Sequence, residues 1–314
     1  MGVIDFHCDT ILRIMEEGGA KDSLKKNDFN VDIEKLKKGD YIAQFFAMFV
    51  NLGEVDNPLE ACLKMIDRFY MELDQNNDSI AFADGISDIN ENMDKNKISA
   101  FLTIEEGATI KGSIENLRNF YRLGVRLMTL TWNYPNEIGY PNCKECYMDK
   151  GLTSFGHDVV YEMNNLGMII DVSHLSDGGF YDVARLSKKP FVASHSNARA
   201  KKESCRNLTD DMIKVLAKKG GVMGINFERS FLGEGDISRV DYMVDHIKHI
   251  KNVGGIDVIS LGTDFDGIDQ NLEIKNAGEM YKLIDKLKEA NFTEGEIEKI
   301  LHLNAIRVIG DILN

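Results

Sequence analysis

The chain has 314 residues, of which 43% are apolar and 28% charged. Those proportions exclude disorder as the main state, and 5 cysteines among 314 residues exclude a disulfide scaffold. With 37 basic against 51 acidic residues the net charge is −14, a field that repels phosphate and argues against nucleic acid or an anionic membrane surface as partner.

Eight apolar runs of strand length follow one another, at 3–6, 42–49, 100–104, 126–130, 168–172, 190–194, 222–227 and 258–261. Most are continuous rather than alternating, as expected for strands buried on both faces of a parallel sheet. Helical patterns lie between them. Residues 58–74 place Leu59, Cys62, Leu63, Ile66, Phe69, Tyr70 and Leu73 on one face, and Ile114, Leu117, Phe120 and Tyr121 repeat the spacing. Ser176 and Thr209 read as N-caps, the Gly220-Gly221 pair as the stop of the helix that Thr209 starts, and Thr293 with Glu296 as a capping box. Residues 132–158 are weakly periodic, hold Pro135, Pro141 and Cys143-x-x-Cys146, and read as one extended loop. The expected fold is an α/β (β/α)₈ barrel of the TIM type, one domain over 1–314.

At the head of the chain, Asp5, His7 and Asp9 stand where a secretion signal would carry basic residues and a long apolar stretch. No run reaches the ~18 apolar residues of a membrane span. Five scattered cysteines suit a reducing compartment, so the expected location is the cytoplasm.

In such a barrel the active site is built at the C-terminal ends of the strands. The first run ends in His7-Cys8-Asp9, the third in Glu105-Glu106, the fifth in Ser173-His174, the sixth in Ser194-His195 and the eighth in Thr263-Asp264-Phe265-Asp266. Imidazole and carboxylate donors therefore recur at one level of the fold. His7, Asp9, Glu105, His174 and His195 suffice for two metal ions sharing the Glu105 carboxylate, each ion with room for water. Asp264 reads as a sixth ligand or as a base beside the metals. Arg206, in the loop before Thr209, is placed to hold a substrate carboxylate, although an exposed loop arginine is the plainer reading. Glu106 reads as a solvated neighbour of Glu105, His246 and His249 as helix-surface residues, and His302 as structural. Cys143 and Cys146 lack the second pair of a four-cysteine zinc site.

DFHCDT, FLTIEEG, GLTSFG, LGMIIDVSHLS, ASHSNARA, CRNLTDDM, GGVMGINF and LGTDFDG occur in that order. They resemble the membrane (renal-type) dipeptidase family in its compact bacterial form, and NFTEGEIEKILHLNAIRVI extends the likeness to nearly the whole chain. The resemblance implies a zinc-dependent dipeptidase that often accepts a D-residue at the C-terminal position. His7 and Asp9 would bind one zinc, His174 and His195 the other, and Glu105 would bridge them. Asp264 would move the proton of a metal-bridging hydroxide reaction, and Arg206 would hold the substrate's carboxylate. Family members commonly carry a histidine in the loop after the fourth strand, where this chain has Thr131-Trp132-Asn133, so Trp132 and Asn133 are expected at the substrate. Glu106 likewise replaces the first of a glycine pair. A homodimer is plausible. The competing readings are a binuclear hydrolase of another amide, a lactone or a phosphoester, and a metal- or peptide-binding protein without turnover.

Overall fold

The computed structural model describes residues 2–16 and 23–313. Nine parallel strands are present among them: β1 Val3–Cys8, β2 Tyr41–Phe49, β3 Ile80–Phe82, β4 Ile98–Glu105, β5 Val125–Thr129, β6 Ile169–Asp171, β7 Val192–Ala193, β8 Val222–Ile225 and β9 Ile259–Leu261. Eight of them close a barrel in the order β1, β2, β4, β5, β6, β7, β8, β9, with β9 returning to β1. The closure is made by β2 on β4, seven residue pairs from Ala43↔Ser99 to Phe49↔Glu105. The ninth strand, β3, has no counterpart among the expected runs. It pairs with Ile98–Ala100 on the β4 edge away from β2, and β5 takes over that edge from Leu102 onward. The fold is therefore the expected eight-strand TIM-type barrel with one short strand added outside it.

The barrel interior is filled by Ile4, Phe6, Ala43, Phe45, Phe101, Leu127, Ile169, Val192 and Val222. The rings of Phe45 and Phe101 stack with centroids 4.4 Å apart. Ala305, Val308, Ile309 and Ile312 of the C-terminal helix Asn304–Ile312 join this cluster and plug one end of the barrel. The second, larger core lies between the sheet and the surrounding helices. One mouth of the barrel is thus sealed with hydrocarbon, and polar chemistry is confined to the other.

The caps form as expected. Ser176 accepts from Gly179 N, Thr209 from Met212 N, and Thr293 makes a capping box with Glu296. The extended loop ends earlier than expected. Thr153 caps the helix Ser154–Leu166, whose Gly156 packs where a Cβ would meet the Ile138 carbonyl oxygen at 2.1 Å. Among the described residues no helix is long and apolar enough to cross a membrane.

Candidate metal centre

His7 rides on β1 and Asp9 follows it. Their height is set by β9: Thr263 donates its N–H and its hydroxyl to the buried Asp5 carboxylate, at 2.9 and 2.7 Å. Asp9 N donates to Phe265 O at 2.9 Å, and Asp264 N to His7 O at 3.3 Å. His7, Asp9 and Asp264 are thereby tied to one rung. A Cβ on Gly267 would lie 2.1 Å from Asp9 Oδ2, so any larger residue there would displace that carboxylate. His7 Nε2 stands 3.4 Å from Asp9 Oδ2, 3.3 Å from Glu105 Oε2 and 3.7 Å from Asp264 Oδ1.

Glu105 is the last residue of β4 and turns its other oxygen the other way. Oε1 lies 3.1 Å from His174 Nε2 and 3.5 Å from His195 Nε2. Those two Nε2 atoms face each other at 3.0 Å. The proton of each ring, assigned from the hydrogen-bond network, sits on Nδ1. For His174, Nδ1–H points to Asn133 Oδ1 at 3.2 Å. For His195 it points to Ser194 Oγ at 2.7 Å, whose own proton goes to Asp171 Oδ2 at 2.6 Å. Both Nε2 lone pairs are therefore aimed into the same gap. His174 and Asp264 hold left-handed backbone, φ 66° and 63°, which swings their side chains over the mouth. Such strain costs on the order of 1 kcal/mol or more per residue and clusters at functional sites. Gly224 and Gly262 leave the space that the Ser194 carbonyl occupies, since a Cβ on either would come within 2.0 and 1.7 Å of its oxygen.

The electrostatics fit a cation. Both His7 ring nitrogens and Asp9 Oδ1 are buried without a hydrogen-bond partner. Burial opposes a charge on His7, yet Glu105 and Asp9 outweigh it and raise its pKa well above the ordinary value. Burial, with Asp9 and Asp264 nearby, pushes Glu105 up to about 7 against the pull of His7. His174 and His195 are held well below the ordinary histidine value, by burial first and then by the Arg206 and His7 charges. Three buried carboxylates beside two neutral imidazoles form a donor set short of positive charge. Bound divalent cations would satisfy it. Three overlapping trios, His7-Asp9-Glu105, Glu105-His174-His195 and His7-His195-Asp264, each bring their donor atoms within 4.8 Å of one another.

Around this centre lies a cavity of about 480 Å³ lined in part by Asp9, Phe49, Trp132, Asn133, Arg206 and Asp264. Asp264 Oδ2 accepts from Asn226 Nδ2 at 2.8 Å. Burial, aided by Asp9 and opposed by His7 and Arg206, raises Asp264 to about 6. Arg206 is buried, not an exposed loop residue. Its Nη2 donates to His195 O at 3.3 Å, while Nε and Nη1 have no partner. Trp132 packs edge-on to Phe49 with ring centroids 4.7 Å apart, and lies 6.2 Å from His174.

Two expectations are corrected. Glu106 is buried, and its carboxylate accepts from Ala108 N, Trp132 N and Asn136 Nδ2 at 2.8, 3.0 and 2.5 Å. His246 is buried as well: its Nδ1 accepts from Ala198 N at 3.0 Å and its Nε2–H faces Leu232 O at 2.9 Å. Asp171 and Asn226 were not singled out from the sequence. Asp171 had a signal, a carboxylate inside an apolar strand, which must be paired to be buried there. It takes Ser173 N, Ser194 N, Thr129 Oγ1 and Ser194 Oγ.

The family model described as membrane dipeptidase (Peptidase family M19) matches residues 1–314. An uncharacterized dipeptidase of Schizosaccharomyces pombe is 31% identical over 329 aligned positions, covering 98% of this chain and 79% of the yeast protein. Among solved structures, dipeptidase AC, a metallopeptidase of family M19, superposes with a TM-score of 0.91 at 25% identity over 100% of this chain and 99% of its own. A metallopeptidase from Rhodobacter sphaeroides, solved with a phosphinate mimic of the dipeptide L-Ala-D-Ala, gives a TM-score of 0.90 at 23% identity over 99% of both chains.

Proposed function

The chain belongs to the membrane dipeptidase family of metallopeptidases, and we propose that it uses two zinc ions to hydrolyse free dipeptides, including those with a C-terminal D-residue. The observation that carries this reading is Glu105, whose two oxygens face two different donor groups, 3.3 Å from His7 and 3.1 Å from His174. His7 and Asp9 would hold one ion, His174 and His195 the other, with Glu105 shared. When bound, such a pair supplies Lewis acidity to the scissile carbonyl and acidity to a water.

The chain's own residues do the rest. Asp264, raised to about 6 and held by Asn226, accepts a proton from the attacking water and returns it to the leaving amine. Arg206 lines the cavity with Nε and Nη1 unbonded, and its guanidinium would hold the carboxylate of the C-terminal residue. A clamp on that carboxylate limits the peptide to one residue beyond the scissile bond. The pocket wall of Trp132 and Asn133 borders the substrate. All five cysteines are unpaired thiols, which fits action in the cytoplasm.

The test is hydrolysis of L-Ala–D-Ala, the dipeptide mimicked in the Rhodobacter structure, by metal-stripped protein titrated with zinc. Activity should appear with zinc and saturate near two ions per chain. Saturation at one ion would rule out the shared-carboxylate pair, and zinc binding without turnover of any dipeptide would rule out the dipeptidase. Asp264→Asn, with zinc still bound, should lose about 10²–10⁴-fold in kcat.

A further inference from the structure

Glu106 holds φ at 102°, a conformation side chains other than glycine rarely adopt, and its carboxylate is buried. Its Oε1 accepts from Ala108 N and Asn136 Nδ2, and its Oε2 accepts from Trp132 N. Asn136 is itself fixed, donating to Leu130 O and accepting from Ile138 N and Gly139 N. One carboxylate therefore ties the turn after β4 to the start of the loop after β5, at the residue where Trp132 enters the cavity.

Trp132 meets Phe49, the last residue of β2. Leu12, Glu16 and Phe49 line both the metal cavity and a neighbouring cavity of about 380 Å³, whose floor includes Val50, Val55 and Met65. Its rim carries Glu16, Glu54 and Asp56, beside Glu60, which is paired with Lys64 at 2.7 Å. Arg206 lies across the mouth, in the segment after β7, and β2 and β7 are four places apart in either direction around the eight-strand ring. A dipeptide whose carboxylate is held at Arg206 and whose scissile bond lies over the metal centre would extend its N-terminal residue toward Phe49 on β2, against which Trp132 packs.

We propose that Phe49 and Trp132, with the apolar cavity behind Phe49, form the subsite for the side chain of the dipeptide's N-terminal residue. This subsite selects large apolar side chains, and Glu106 is the positioning residue that fixes Trp132 in it. The acidic rim turns away acidic side chains and suits the free ammonium of the same residue. The inference rests on the dipeptidase reading.

The experiment compares L-Phe–D-Ala with L-Ala–D-Ala on the zinc-loaded full chain, and reads the emission of Trp132, the sole tryptophan. The native enzyme should show a KM for L-Phe–D-Ala about tenfold lower or more, the scale of discrimination an apolar pocket provides. Trp132→Ala should raise KM for L-Phe–D-Ala about tenfold and for L-Ala–D-Ala about twofold, collapsing the preference. Glu106→Gln sets an amide against one of the donors now satisfied. It should red-shift Trp132 emission and raise KM for L-Phe–D-Ala more than it lowers kcat. If that variant fails to fold, Trp132→Ala and the native preference decide. Turnover of L-Ala–D-Ala without preference for the phenylalanyl dipeptide, or a preference that survives Trp132→Ala, overturns the subsite while leaving the dipeptidase standing. A folded Glu106→Gln with native emission and native preference overturns the positioning role. Turnover of neither peptide at two bound zincs overturns both readings together.

Discussion

Ser194 Oγ lies 2.7 Å from His195 Nδ1, and its own proton is committed to the buried Asp171 carboxylate at 2.6 Å. The hydroxyl can then only accept from the ring, so His195 is locked with Nε2 bare and turned toward His174 and Glu105. Partners of this kind behind a ligand are commonly worth about 10–100-fold in metal affinity. Ser194→Ala should weaken zinc binding by that factor in a competition titration against a chromophoric chelator. The stability of the metal-free protein should fall by about 1–2 kcal/mol, because Asp171, His195 and Ser173 each lose a partner. Unchanged zinc affinity would mean that the ring needs no such lock.

Glu105→Gln separates the two states of the site. A glutamine side chain has one oxygen and no charge, so it cannot present an anionic oxygen to each donor group. Zinc content measured on the purified variant should drop from about two ions per chain to one or fewer. Without metal the sign reverses. Glu105 is pushed up to about 7 by burial, and the neutral amide removes a carboxylate packed against Asp9 and Asp264. The metal-free variant should therefore be at least as stable as the metal-free native protein. The native protein should gain more on zinc addition, by about 2.7 kcal/mol at a hundredfold excess over Kd. Equal zinc content in the two proteins would remove Glu105 from the shared position.

Arg206 is a buried cation on the cavity wall whose Nε and Nη1 lack hydrogen-bond partners in the protein, and a substrate carboxylate would pair with it. Arg206→Ala should raise KM for L-Ala–D-Ala by about 10–100-fold, the value of a charge-assisted pair, with a smaller change in kcat. The native enzyme should discriminate against the C-terminal amide of the same dipeptide by a similar factor, and the variant should not. Steady-state kinetics on the four combinations decides. A variant that still prefers the free acid would place the carboxylate elsewhere.

The strand ends were legible because parallel strands buried on both faces read as continuous apolar runs, so a histidine or carboxylate that stops a run stands out. β3 was not legible: it is three residues long, Ala81 and Phe82 of it are partly exposed, and it serves one half of β4 only. The residues that aim the site were harder still. Asp171 accepts from the Ser194 hydroxyl and Asn226 donates to the Asp264 carboxylate, contacts between distant segments that no local pattern announces. His174 and Asp264 take left-handed turns without glycine, so the sequence carries no mark of the bend. The resemblance flagged Trp132 and Glu106 separately as departures, but only the fold shows that they are bonded to each other. His246 was misplaced because its helix, Val240–Gly254, is amphipathic, while the segments around Ala198 and Leu232 close over the ring.

That closure makes His246 a source of acid sensitivity away from the proposed metal ligands. Its Nδ1 must stay unprotonated to accept from Ala198 N, and burial holds its pKa at about 4, below the ordinary 6.5. The unfolded chain therefore takes up the proton first as pH falls. The stability it contributes is complete above about pH 6.5, declines between 6.5 and 4, and is gone below that, a loss of roughly 3 kcal/mol over the window. His246→Asn removes the titrating group together with its bonds. The variant should be less stable than the native protein at pH 7.5, and the gap should narrow by up to about 3 kcal/mol by pH 4. Urea unfolding of both metal-free proteins across this range measures the gap directly, since the other carboxylates titrate alike in each and cancel. A gap that stays constant from pH 7.5 to 4 would show that the buried ring takes up a proton as readily as an exposed one.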